Sequence, residues 1–276
     1  MTTHWSLLCS TGAFARDPDQ TDYQAILHFG PRLDVDGFEV IFFSDWYRSC
    51  SSITNALATS SLSFPLLHAE KSIGPLLGSS QDTDQTLALQ RLAINCQFAQ
   101  TIGVHTVVLH LWGLPESDEA IERNLSALAD CLTIADTYGV LLAIETIPCR
   151  HADPLTHIYQ AITQDERCRV ALDTEFLAIH HQIESALRSD WLWSNGSVQH
   201  IHIKDYDGQM FDTNGLRRYL HPGQGNIDFD HFFAVLKQRD FAGSISLEAS
   251  AVTPDGSVDI NCIQRSLVVL HNYREL

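Results

Sequence analysis

Apolar residues recur along this chain with two periods that take turns. Short alternating or continuously apolar runs near 4–9, 37–43, 64–69, 104–111, 140–147, 168–173, 198–204 and 243–248 read as strands. Between them, three- and four-residue spacing predicts helices near 21–29, 49–59, 82–102, 117–138, 154–163, 176–188, 227–239 and 258–273. In the clearest of these, Leu87, Leu89, Leu92, Ala93, Cys96, Ala99 and Ile102 share a packing side and Gly103 supplies the stop. Eight such alternations predict an α/β fold, a (βα)8 TIM barrel, with residues 1–276 as a single domain. The loop from Tyr206 to Asn226 is long and holds Gly208, Gly215, Pro222, Gly223 and Gly225, which suits a segment crossing the barrel mouth.

The stretch Val198–Gly208, VQHIHIKDYDG, sets His200, His202 and Lys204 on one face of a strand and Ile201 and Ile203 on the other. Parallel barrels build their sites at the carboxyl ends of their strands. Here His68, His110, Glu145, Asp173, His202 and Glu248 lie at or near the last residue of six consecutive strands. Alternation points Glu145, Asp173 and Glu248 inward, while Ile144, Leu172, Ile245 and Leu247 point out towards the helices. Inward carboxylates need a counter-charge. Glu145, Asp173, His202 and Glu248 together offer three carboxylates and an imidazole, a set suited to one divalent metal such as Mn2+, Mg2+, Co2+ or Zn2+. The competing reading is a group of separate salt bridges and core hydrogen bonds.

Composition narrows the class. At 45% hydrophobic and 18% charged residues, the chain has enough apolar material for one large core. Its formal charge of −17 argues against a nucleic-acid partner, since such binding rests on Lys and Arg neutralising phosphates. Seven cysteines without a CxxC pair exclude a thiolate-rich zinc ribbon and fit a reducing compartment. With no signal-like N-terminus and no apolar run of membrane length, a cytoplasmic address without membrane association is expected. A homo-oligomer is compatible with this composition.

The ordered motifs LHAEKSIG, VVLHLWG, LLAIETIP, VALDTEF, HIHIKD, HPGQGNIDF and SISLEAS resemble the xylose isomerase-like barrel superfamily. That group includes sugar isomerases and epimerases, inosose dehydratases and apurinic-site endonucleases. The resemblance runs from Gly37-Phe38-Glu39 to Glu248. It implies a metal-dependent isomerase or epimerase of a sugar or sugar-like polyol, with the metal on Glu145, Asp173, His202 and Glu248. It also implies that Glu145 and Glu248 are catalytic, each moving a proton on one face of a cis-enediolate whose oxygens the metal polarises. No other cofactor is then needed.

Two positions depart from the epimerase pattern: His151 stands where many epimerases have Glu, and Gly208 where they have Arg. Substrate recognition is therefore expected to differ, with His68, His110, Lys204, Arg217 and His221 as candidate substrate-binding residues. An inosose dehydratase-like lyase uses similar ligands and remains an alternative. A metallophosphodiesterase of the endonuclease type would also use His68 and His110, but Phe176 and Arg217 to Tyr219 replace ligands of its third metal. A barrel that binds a sugar without turning it over is the remaining alternative.

Overall fold

The computed structural model describes residues 5–15, 22–113 and 118–275. His4, Thr21 and Ser117, where one expected strand and two expected helices begin, lie outside the described residues. Eight strands form: β1 (Ser6–Ser10), β2 (Gly37–Ile41), β3 (Leu66–His68), β4 (Thr106–Leu109), β5 (Leu141–Glu145), β6 (Arg169–Asp173), β7 (Val198–Ile203) and β8 (Ser244–Leu247). Each pairs in parallel with its neighbours in sequence, and β8 closes on β1, giving a single (βα)8 TIM barrel.

The period-two pattern decides what faces where. Leu7, Cys9, Phe38, Val40, Leu67, Val107, Leu142, Ile144, Leu172, Ile201, Ile203, Ile245 and Leu247 belong to the large core shared with the helices. Leu8, Leu66, Val108, Ala143 and Ala171 form a second, small cluster inside the barrel. One pleat further along β3, β5 and β6 come His68, Glu145 and Asp173, so the apolar plug gives way to a polar layer at the carboxyl end.

Helix Asp82–Ile102 ends at Gly103, whose φ of 84° is the left-handed cap that glycine adopts without a Cβ penalty. Helix Phe229–Gln238 starts on Asp228, which accepts a hydrogen bond from His231 N at 2.9 Å. Two expected helices are broken. The run at 117–138 divides into Ile121–Ser126 and Leu128–Thr137, and the Ala127 amide is shared between Arg123 O and Asn124 O. The run at 176–188 divides into Thr174–Ile179 and Ile183–Arg188, with His181 at φ 54° between them. Among the described residues no helix is long and apolar enough to cross a membrane.

Candidate metal centre

Glu145 and Asp173 are the last residues of β5 and β6, His202 is one residue from the end of β7, and Glu248 follows β8. All four are at most 3% exposed, and one ligand atom from each lies within 4.8 Å of every other. Asp173 also caps the following helix: its Oδ1 accepts from Phe176 N at 2.9 Å, which leaves Oδ2 to face the cluster. His202 donates from Nδ1 to Glu145 Oε1 at 2.8 Å and from Nε2 to Glu39 Oε1 at 2.7 Å. Glu145 Oε2 is 2.7 Å from His110 Nε2 and 3.1 Å from His68 Nε2.

Lys204, two residues beyond His202, enters the same cluster. Its Nζ lies 2.6 Å from Asp173 Oδ2 and 2.5 Å from Glu248 Oε2, and 4.5 Å from the centre of the Phe176 ring. The contact with Asp173 Oδ2 is an ion pair off the hydrogen-bonding direction, so that buried oxygen has no hydrogen-bond partner among the described residues.

The electrostatics follow from burial and crowding. Burial, with the charges of Glu145 and Glu248, pushes Asp173 up to about 7 against the pull of Lys204. Burial penalises the His202 imidazolium too, yet Glu39, Glu248 and Glu145 together hold it well above the usual histidine range. His110 is pushed down to about 4, chiefly by burial. Glu39, Glu145, Asp173 and Glu248 thus face Lys204 and one imidazolium, an excess of negative charge that a divalent cation would neutralise. A hard donor set and this charge excess fit such an ion.

The model of the xylose isomerase-like TIM barrel family matches residues 31–262. The chain belongs to this family. The uncharacterized protein MJ1311 of Methanocaldococcus jannaschii is 24% identical over 178 residues, 58% of this chain and 57% of that one, so little more than half of that relative's length is matched. Among solved structures, the D-allulose 3-epimerase of Methylomonas sp. in complex with D-allulose superposes with a TM-score of 0.76 at 15% identity, covering 98% of both chains. The IolI protein with a binding zinc atom superposes with a TM-score of 0.70 at 18% identity, again over 98% of both chains.

Within this xylose isomerase-like barrel, several candidate contacts are already occupied by protein partners. Arg217 Nη2 is bound to Glu175 Oε2 at 2.5 Å, and its guanidinium lies over Tyr219. His221 is turned to the last helix, with Nδ1 2.8 Å from Ser266 Oγ and Nε2 3.4 Å from Ser250 O. His151 is exposed, 3.5 Å from Glu119. Trp112 and Trp46 are fully buried; Trp112 donates to Pro148 O, while Trp46 packs against Phe42, Phe43 and Phe98. The Gly-rich HPGQG turn cradles no phosphate, because Asp205 fills it. Asp205 Oδ2 accepts from Gly223 N and Gly225 N, and Oδ1 from Tyr206 N and Ile227 N.

Two groups escaped the sequence reading. Glu175, a residue in the first turn after β6, ties Arg217 of the mouth loop to the neighbourhood of Lys204, 3.9 Å away. Asp118 gathers the loop after β5: it accepts from the amides of Arg150, His151 and Ala152 and from His157 Nε2 at 2.8–3.0 Å. With four donors, Asp118 is saturated, which makes it a structural anchor although Cys149 and His157 complete a metal-like group around it. No local motif marks it, since its partners lie 32 to 39 residues away.

Proposed function

We propose that this protein is a divalent-metal-dependent isomerase or epimerase of a sugar or sugar-like polyol, with Glu145, Asp173, His202 and Glu248 as metal ligands. The observation that carries this reading is the convergence of those four buried side chains at the carboxyl end of the barrel. The likeness in fold to a D-allulose 3-epimerase holding its sugar, and to a zinc-bound IolI protein, supports it.

A bound divalent ion would polarise a carbonyl oxygen and the hydroxyl oxygen on the next carbon, acidifying that hydroxyl-bearing carbon beside the carbonyl. Glu145 and Glu248 sit on β5 and after β8, non-neighbouring strands of the barrel, which supports the reading that one takes the proton and the other returns one from the opposite face. Lys204, 2.5 Å from Glu248, holds that carboxylate ionised and is a nearby donor to a substrate oxygen. His68 and His110 hold Glu145 from the other side and border the same space. A phosphate-bearing substrate would need a partner outside the HPGQG turn, which Asp205 occupies.

The test is solvent exchange. In deuterated water, native protein replete with Mn2+ should wash deuterium into the carbon next to the carbonyl of D-allulose or another ketose or inosose. Glu145→Gln and Glu248→Gln should each lose about a hundredfold or more in turnover, the usual scale of general acid–base catalysis, with metal content assayed alongside. Turnover without exchange, and with either variant still active, would replace the proton shuttle by a hydride shift.

One observation favours a second reading. His68 Nδ1 lies 2.8 Å from the Ala69 carbonyl, and its Nε2 lies 3.1 Å from Glu145 Oε2 and 3.2 Å from His110 Nε2. His68, His110 and Glu145 therefore form a second ion-ready group sharing Glu145 with the first, the arrangement of a metallophosphodiesterase.

A further inference from the structure

We propose that Glu39, on the opposite side of the barrel in β2, is the positioning residue that selects the tautomer of His202 and so presents Nδ1 to the metal. This rests on the reading of His202 as a ligand. The His202 ring is fully buried and bridges two carboxylates. Its Nδ1 is the nitrogen that looks into the cluster: besides Glu145 Oε1 at 2.8 Å, it has Glu248 Oε2 at 3.8 Å and Asp173 Oδ2 at 4.0 Å. Its Nε2 looks the other way, to Glu39 Oε1 at 2.7 Å. A neutral imidazole has one N–H and one lone pair, and an ionised carboxylate can only accept. With Glu39 behind the ring, the Nε2 proton is kept when an ion takes the place of the Nδ1 proton, and the lone pair then falls on Nδ1. Without it, the neutral ring is free to keep its proton on Nδ1 against Glu145 Oε1, and that tautomer turns an N–H towards the ion.

Besides the His202 ring, Glu39 meets the His200 ring, and the three side chains form a buried group of their own. Glu39 is completely buried, its Oε2 has no hydrogen-bond partner among the described residues, and His200 Nε2 stands 3.8 Å from it, too far for a hydrogen bond. No Lys or Arg pairs with it among the described residues. A carboxylate buried with one hydrogen-bond partner is costly, and that partner is the ligand ring. The ring plane is also restrained by His68, stacked at 6.0 Å and 17°, so the tautomer is the remaining freedom that Glu39 removes.

The test compares native chain, Glu39→Leu and Glu39→Gln, all stripped with chelator and titrated with Mn2+ by calorimetry. Loss of such an outer carboxylate weakens metal affinity about 10- to 100-fold, the expectation for Glu39→Leu. Glu39→Gln keeps an acceptor oxygen for Nε2–H and should recover most of that loss. In the zinc-loaded native chain, 15N histidine spectra should show His202 protonated at Nε2 and bound through Nδ1. A folded Glu39→Leu variant with native Mn2+ affinity, or zinc bound through Nε2, overturns the inference. If Glu39→Leu does not fold, the native spectrum and the Glu39→Gln titration decide it. A native chain that binds neither Mn2+ nor Zn2+ would instead sink the metal reading itself, and this one with it.

Discussion

Replacing Lys204 by Met tests the charge account of the centre most directly. Met keeps the length and apolar stem of lysine but removes the ammonium that lies 2.6 Å from Asp173 and 2.5 Å from Glu248. Both carboxylates and the ammonium are at most 3% exposed, so water cannot take over the lost interaction. Breaking a buried pair from one side costs about 3–5 kcal/mol, because it leaves the other charge unpaired. For a chain of this size each kcal/mol moves the melting midpoint by about 2–4 °C, so a fall of roughly 6–20 °C is expected in chelator. Saturating Mn2+ should raise the variant's midpoint more than the native one, since the ion supplies the charge that Lys204 gave. The assay is thermal unfolding of both proteins, with chelator and with metal. A Lys204→Met variant melting within about 2 °C of native in chelator would refute the role of Lys204 as counter-ion. An unchanged gap on adding metal would refute the placement of the ion beside Asp173 and Glu248.

Two further outcomes are expected. Burial works against the charge on Asp118, but His157 and the amides of Arg150 and His151 hold it well below the usual carboxylate range; its stabilising effect is therefore present above the unfolded pKa of about 3.9 and lost as pH falls towards the folded value. Urea unfolding should show Asp118→Asn about 1–3 kcal/mol less stable than native at pH 7, with the gap narrowing below about pH 4; a gap that widens on acidification contradicts this sign. Metal analysis should give one ion per chain, held without His68 and His110. Two ions per chain, one of them lost in His110→Ala, would favour the metallophosphodiesterase reading.

The barrel was legible in the sequence because its causes are local. Period-two runs such as His200 to Lys204, helix-period runs such as Leu87 to Ile102, and stops such as Gly103 are decided by neighbours a few residues away. Inward pointing follows from the same pleat, so Glu145, Asp173, His202 and Glu248 could be named together once their strands were placed. What those side chains touch is a different matter, because it depends on contacts made across the closed barrel. Glu39 and His202 are 163 residues apart, and their pairing exists only because β2 and β7 face each other across a narrow, polar interior. Tertiary structure likewise drew Lys204 into the carboxylates, paired Arg217 with Glu175, turned His221 towards Ser266 and filled the HPGQG turn with Asp205. A sequence records that a cation is present. Which acid neutralises it is settled by distances and burial, since at low dielectric the nearest opposite charge dominates and no periodicity encodes which one that will be.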